Sequence, residues 1–393
     1  MNKKVGLVLA FKGTNYGALL QAYATQYIVE SLGFDTEIID YKRTNKYENV
    51  YVSLGYVMHY LRTKCNRGKI QKNVNSQCIN KSFVSNQIER KQVSIDFLKR
   101  RMHNIRVIAG RSELKQAVQD YKAVIVGSDQ KWTPGVCYDL IDSLRFVPSS
   151  VRRISYATSL GVASYPKYCW KDSMKMWKRI DYLSVREQQG ANIIKQICGD
   201  IDVSVVLDPT YLLTKEQWEM LVPVQQMTSS KYALCYFLGN DIESKKWAKR
   251  YCNLHGLHLV SILSVESFSD IDYSYADEVI SGIAPESFIN WVRGAEIILT
   301  DSFHGLAFSI INEKQFYVFY RKRDDALQSR NSRIDNILKT WNIEERLIQD
   351  KNEDWNDKLE VSIDYSIVNK LLDEKREKSL NFLKNALNFD EDN

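Results

Sequence analysis

Apolar and polar positions along this chain fall into blocks whose spacing predicts a repeated strand and helix rhythm. The run VGLVLA is followed by the polar FKGTNYG, then by ALLQAYATQYIVESL with apolar residues at helical spacing, then by the β-like EIIDY. The pattern predicts a strand over 5–10, a helix over 18–32 and a strand over 37–41, the opening unit of a parallel α/β sheet. Residues 45–116 are polar and mixed and read as an insertion. Strand character returns in KAVIVGSDQKW, RISYATSLG, DYLSVRE and VSVVLDPTYLL, each ending in small or polar residues. After the linker-like PVQQMTSSK, a second alternation runs through YALCYFLG, LHLVSIL, DEVISG, EIILTDSFHG and QFYVFYR, with helical segments between. An amphipathic helix closes the chain from residue 365.

This pattern predicts two successive Rossmann-like α/β domains facing a cleft. The first covers residues 1–225 and carries a basic helical insertion at about 45–116. The second covers 226–345, and a helical extension over 346–393 packs back across the domains. A length of 393 residues with 44% hydrophobic residues is enough for two cores.

Charge and cysteine content narrow the setting. The formal charge is +6, but Leu61 to Lys115 holds fourteen Lys or Arg against three Asp or Glu, so the rest of the chain is net acidic. Such a segment suits an anionic membrane surface or a phosphorylated carrier, as a peripheral contact. A solvated helix face is the plainer alternative. No zinc finger, RNP-type signature or helix-turn-helix pattern accompanies it, which argues against nucleic acid. Seven cysteines without a Cys-x-x-Cys pair give no disulfide framework, and VGLVLA is too short for a signal-peptide core or a membrane span. A reduced, cytoplasmic location is expected.

Candidate chemistry sits at strand ends. In parallel sheets the loop leaving a strand faces the ligand crevice, and the next helix points its free amides into it. Asn15 and Gly17 occupy such a loop, although a tight turn uses the same residues. The loop lacks both the Walker and the Gly-x-Gly-x-x-Gly spacing. In VGSDQKW, Asp129 is placed to act as a general base, Gln130 lies beside it, and Trp132 offers a face for a sugar ring. Asp129 as a turn cap is the bland alternative.

His304 stands between the strand-like EIILTDSF and a helix beginning GLAFSII, where an imidazole and free amides can hold a phosphate or supply a proton. Arg186, Arg321, Arg323, Arg330 and Arg333 also lie at strand ends or helix starts, suited to gripping phosphate and carboxylate. No histidine has metal-ligand spacing, so no metal site is expected.

Taken in order, GTNYGALLQAYATQ, VGSDQKWTP, ISYATSLG, LSVREQQG, VVLDPTYLL, LTDSFHGLAFSI and NSRIDNIL resemble the polysaccharide pyruvyl transferase family over roughly residues 5–340. The resemblance implies the two-Rossmann-domain architecture of GT-B glycosyltransferases, with the active site between the domains. It also implies transfer of a pyruvyl group from phosphoenolpyruvate to a sugar of a surface polysaccharide, or of its lipid-linked precursor, forming a ketal. No cofactor is implied beyond that donor substrate.

In this scheme His304 is the acid and Asp129 the base, and Arg186, Ser302, Arg321 and Arg333 hold the donor. Asn15, Gly17, Gln130 and Trp132 face the acceptor. Better-described members carry an arginine where this chain has Ser302, which leaves the remaining arginines to carry the donor's charge. A GT-B glycosyltransferase using a nucleotide sugar and a non-catalytic glycan-binding relative are the competing expectations.

Overall fold

The computed structural model describes residues 3–45, 48, 50–74, 81–264, 270–321, 331–351 and 361–388. The first part of the chain supplies β1 (Lys4–Val8), α1 (Tyr16–Ser31), β2 (Asp35–Lys42), α2 (Leu54–Val74), α3 (Lys81–Arg101), β3 (Ile105–Ala109) and α4 (Gly110–Ala117). It continues with β4 (Ala123–Val126), β5 (Arg152–Thr158), α5 (Trp170–Trp177), β6 (Tyr182–Val185), α6 (Gln188–Cys198), β7 (Ser204–Val205) and α7 (Lys215–Leu221). These strands form one parallel sheet in the order β3-β2-β1-β4-β5-β6-β7.

A second parallel sheet follows, built from β8 (Tyr232–Tyr236), α8 (Ile242–His255), β9 (His258–Ile262), β10 (Glu278–Ile280), α9 (Pro285–Gly294) and β11 (Ile297–Thr300). Its remaining elements are α10 (Phe303–Ile311), β12 (Gln315–Phe319), α11 (Ser332–Trp341) and β13 (Leu347–Ile348), and α12 (Tyr365–Asn388) ends the chain. The strand order is β10-β9-β8-β11-β12-β13. Both sheets are doubly wound, so each has a crevice where the order reverses, beside β1 and β4 in one and beside β8 and β11 in the other.

Central strands buried on both faces need apolar residues at every position, and Val5, Leu7, Val8 and Ala123 to Val126 are all buried. The same logic governs α1 and α10, which are apolar nearly all round because each is covered on every side. They meet between the domains, where Tyr16 of α1 also stacks on Phe288 of α9 at 5.1 Å, and one continuous apolar core runs through both halves. That core fills much of the cleft, and a pocket remains at the sheet ends.

Three features depart from the sequence pattern or extend it. The stretch 45–116 is not wholly an insertion: its last part is the edge strand β3, followed by α4. The strand is only five residues long, is interrupted by Arg106 and lies at the sheet edge with Val107 exposed, so IRVIA among flanking arginines gave a short signal. The second sheet likewise reaches past residue 345, because β13 pairs with β12.

The inserted helix α3 is also more than a surface feature. Its buried Arg90 lies over Tyr16 at 3.4 Å and donates to the Thr14 carbonyl at 3.1 Å and the Leu263 carbonyl at 2.8 Å, strapping the β1 loop to the second domain. Helix α12 crosses back as expected. It starts with Tyr365 bonded to the Lys314 carbonyl and reaches the first domain through Arg376 to Tyr211 (2.9 Å), Ser379 to Leu207 (3.0 Å) and Arg152 to Ala386 (3.0 Å).

Candidate active site

The carboxyl ends of β1 and β4 face those of β8, β11 and β12 across a pocket of about 180 Å³. Asn15, Asp129 and Gln130 line it from the first domain; Leu238, Ser302, Phe303, His304, Arg321 and Arg333 line it from the second. Seven of the ten positions given a role in the transfer scheme thus share one pocket.

Helix α10 begins here because Ser302 caps it, its Oγ accepting from the Gly305 amide at 3.3 Å while Thr300 Oγ1 accepts from the Ser302 amide at 3.0 Å. His304, in the first turn, is buried and stands edge-on to Phe303 with ring centroids 5.0 Å apart. Its Nε2 has no hydrogen-bond partner and lies 3.9 Å from Asp208 Oδ2. Burial, reinforced by repulsion from Arg186 and Arg333 and opposed by Asp208 and Asp129, lowers its pKa to about 4. The imidazole is neutral at pH 7.

Gly17 has a different task from the expected one. Added as a Cβ at this position, a single carbon would overlap the His304 ring, so glycine at the start of α1 is what lets the two domains close around that histidine. Gly17 does not line the pocket.

Asp129 follows β4 with φ 74°, in the left-handed region, where Asp is tolerated better than most residues. Its carbonyl accepts from the amides of Lys131 (2.8 Å) and Ser159 (2.9 Å), which fixes the turn. The side chain keeps 26% exposure and points Oδ1 at Arg186 Nη2, 3.6 Å away. Burial pushes its pKa up, but Arg186, His304 and Arg333 outweigh that and hold it below the ordinary value. The chain then reverses, with the Trp132 amide bonded to the Ser159 carbonyl, and the indole turns inward. Trp132 is fully buried, donates to the Asp142 carbonyl at 3.0 Å and packs against Trp177. It presents no face to a sugar.

Arg186 is also withdrawn from the pocket, behind Phe303, whose ring lies 4.2 Å from its guanidinium carbon. It donates to Asp208 Oδ2 at 2.8 Å, to Ser128 Oγ at 3.3 Å and to Glu187 Oε1 at 3.1 Å. Desolvation disfavours its charge, yet these carboxylates raise its pKa above the ordinary value. Asp208, Glu187 and Ser128 therefore form a buried network that fixes Arg186 beneath the site. They went unremarked in the sequence although each lies inside a quoted motif, and the Asp-Pro of VVLDPTYLL is a cap signal that points to Asp208.

Arg321 stands 3.4 Å from Asp301 Oδ1, and the Asp301 carboxylate is itself held by the amides of Leu238 (2.7 Å) and Gly239 (2.8 Å). Arg333 differs. It is 7% exposed, and with the Gln130 amide turned to present its oxygen it donates to that oxygen at 2.8 and 3.0 Å. Its Nε has no partner, and among the described residues it forms no salt bridge. Burial, then repulsion by Arg186, lowers its pKa to about 9. Arg323 and Arg330 lie outside the described residues.

A cation buried against its own preference, beside a capped helix N-terminus, is a setting that suits a small anion. The model of the family described as polysaccharide pyruvyl transferase matches residues 15–323, so the chain belongs to that family, whose members are transferases that modify polysaccharide. The match includes Asn15, Asp129, Arg186, His304 and Arg321 and ends before Arg333.

No curated protein matches the chain. Among solved structures, a UDP-GlcNAc 2-epimerase from Neisseria meningitidis bound to UDP-GlcNAc is 11% identical over 98% of each chain, with a TM-score of 0.45. MurG from Acinetobacter baumannii is 9% identical over 98% of this chain and 95% of that one, with a TM-score of 0.44. The E. coli heptosyltransferase WaaC with ADP is 12% identical over 95% and 99%, with a TM-score of 0.38. The two doubly wound sheets and the returning helix define the GT-B type of fold here on their own.

Proposed function

We propose that this protein transfers the pyruvyl group of phosphoenolpyruvate to two hydroxyls of one sugar, in a surface polysaccharide or its lipid-linked precursor, forming a ketal and releasing phosphate. The observation that carries this is Arg333: a buried guanidinium that forms no salt bridge among the described residues, next to a neutral His304 and the amides that open α10. Phosphate and carboxylate of the donor meet Arg333, Arg321 and the helix start, which supply the charge that other members place at the position of Ser302.

Donor charge changes His304. One anionic charge about 4 Å away is worth roughly 4 kcal/mol at an effective dielectric of 20, or about 3 pKa units. That lifts the imidazole from about 4 to about 7, so the bound donor recruits its own acid. His304 gives this proton to the methylene carbon, which becomes the methyl group. The first sugar hydroxyl adds to the adjacent carbon and gives its proton to Asp129. The bond to phosphate then breaks, phosphate leaves with the electron pair, and the second hydroxyl closes the ketal as its proton passes to phosphate or water.

The size of the pocket favours this donor over a nucleotide sugar, since 180 Å³ is below the roughly 300–1,000 Å³ typical of sites for cofactor-sized ligands. Thermal shift with phosphoenolpyruvate, inorganic phosphate and UDP-GlcNAc tests the choice. Stabilisation by phosphoenolpyruvate above that by phosphate supports it, whereas stabilisation by UDP-GlcNAc alone contradicts it.

For the acceptor, we read a peripheral contact with an anionic membrane. No helix among the described residues is long and apolar enough to span one. Yet Val52, Leu54, Val57, Met58, Tyr60 and Leu61 are exposed at the start of α2, and Arg62 and Lys64 follow directly. Apolar side chains with adjoining basic ones suit the headgroup region of such a surface.

A further inference from the structure

Asp129 has two sides. One faces the anion pocket; the other lines a separate, larger cavity of about 530 Å³ within the first domain, at the carboxyl ends of β1, β2 and β4. Its volume falls inside the roughly 300–1,000 Å³ of ordinary small-molecule sites, which leaves ample room for a sugar unit. The walls hold three cations, each matched to a carboxylate: Lys12 with Asp40, Lys131 with Asp142 at 2.6 Å, and Arg43 with Asp139 at 3.8 Å. Tyr41 adds an aromatic ring.

Such walls present many acceptors and donors and no unpaired cation, because the fourth carboxylate, Asp129, is turned to Arg186 at 3.6 Å. Hydroxyls can bridge an ammonium and a carboxylate in turn, because each serves as donor and acceptor. A charged ligand would face a like charge beside every opposite one, and gains no unpaired ion for its desolvation. The anion pocket, with its unmatched Arg333, has the opposite character. The shared wall is the residue that the transfer reading makes the base.

We propose that this cavity is the acceptor subsite and that it takes an uncharged sugar unit, whose two reacting hydroxyls reach past Asp129 toward the donor. The inference rests on the transfer reading and names the acceptor class that reading leaves open. It also replaces Trp132, which the fold withdraws, with a first-domain surface that is open to a sugar.

Gly13 provides the means of testing it. It lines the cavity, and a Cβ added there meets nothing nearer than the Asn15 amide nitrogen at 3.8 Å, so a large side chain can enter the cavity without a backbone clash. Saturation-transfer NMR on the full chain with methyl glycosides of glucose, galactose, mannose and glucuronic acid gives the readout. At least one neutral glycoside should bind, at least tenfold more tightly than methyl glucuronide. Gly13→Phe should weaken that binding at least tenfold while leaving the melting temperature and the shift caused by phosphoenolpyruvate unchanged. Asp142→Asn, which leaves Lys131 unmatched, should move preference toward the glucuronide.

The proposal is overturned if no neutral glycoside binds, if Gly13→Phe leaves binding intact, or if the glucuronide binds wild type as well as its neutral counterparts. Glycoside binding without any effect of phosphoenolpyruvate would count against the transfer reading and leave this subsite standing.

Discussion

Replacing Arg333 with methionine should cost the unliganded protein little stability while weakening its donor binding. The pKa of this guanidinium falls from the ordinary arginine range to about 9, which corresponds to an opposing free energy on the order of 5 kcal/mol at 1.36 kcal/mol per unit. Arg333→Met removes the charge but keeps most of the buried aliphatic stem. Two hydrogen bonds to Gln130 are lost with it, at about 1.5–3 kcal/mol each because the donor is charged, offsetting about 3–6 kcal/mol. The two effects cancel to within about 1–2 kcal/mol, so the melting temperature should move by only a few degrees.

In exchange, charge-assisted contacts to the donor disappear, weakening phosphoenolpyruvate by roughly 10- to 150-fold. Differential scanning calorimetry with and without the donor reads both effects in one experiment. A variant that melts well below wild type, yet is stabilised by phosphoenolpyruvate to the same extent, refutes the view that Arg333 is held ready for an anion.

Other consequences can be checked with simple variants. Asp129→Asn should slow transfer by about 100- to 10,000-fold, the usual cost of losing a general base, with donor affinity nearly unchanged; phosphate release shows the first and thermal shift the second. His304→Ala and Arg333→Ala should each weaken donor use, and the double variant should lose less than their sum, because both act on one bound anion; additive losses would separate them. Liposomes containing anionic lipid should co-sediment with the protein at low salt and lose it as salt rises, and a Leu54→Glu, Leu61→Glu variant should bind several-fold less. Equal binding to neutral liposomes would remove the basic residues from that account.

The chain declares its sheets more openly than its site. Strands such as β4 and β11 are buried on both faces and so appear as unbroken apolar runs that stop at Gly127 or Asp301, which marks both strand and crevice. The edge strand β3 carries no such signature, since one of its faces is wet. Within the site, neighbours at one strand end need not share a direction. The left-handed turn at Asp129 sends its carboxylate to the cleft and, three residues later, the indole of Trp132 into the core.

Pairing was harder still to foresee. Arg186 looked as available as Arg333, and what separates them is Asp208, twenty-two positions away in sequence and 2.8 Å away in space. The contact between Gly17 and His304 joins two domains, and no local pattern announces it. The cavity beside Asp129 escapes a sequence for the same reason: its walls come from three strand ends that only the fold gathers.

The central claim is that donor charge, held by Arg333, converts His304 from a neutral ring into an acid. Isothermal titration of phosphoenolpyruvate at pH 7 in buffers of different ionisation enthalpy measures it directly, since proton uptake appears as a slope of binding enthalpy against buffer enthalpy. With a pKa near 4 the free imidazole carries no proton at pH 7, and a rise to about 7 on binding requires it to take up about half of one. Wild type should therefore absorb about half a proton more than His304→Gln on binding the donor. Equal proton exchange in the two proteins, or no binding of phosphoenolpyruvate to wild type, would contradict the account.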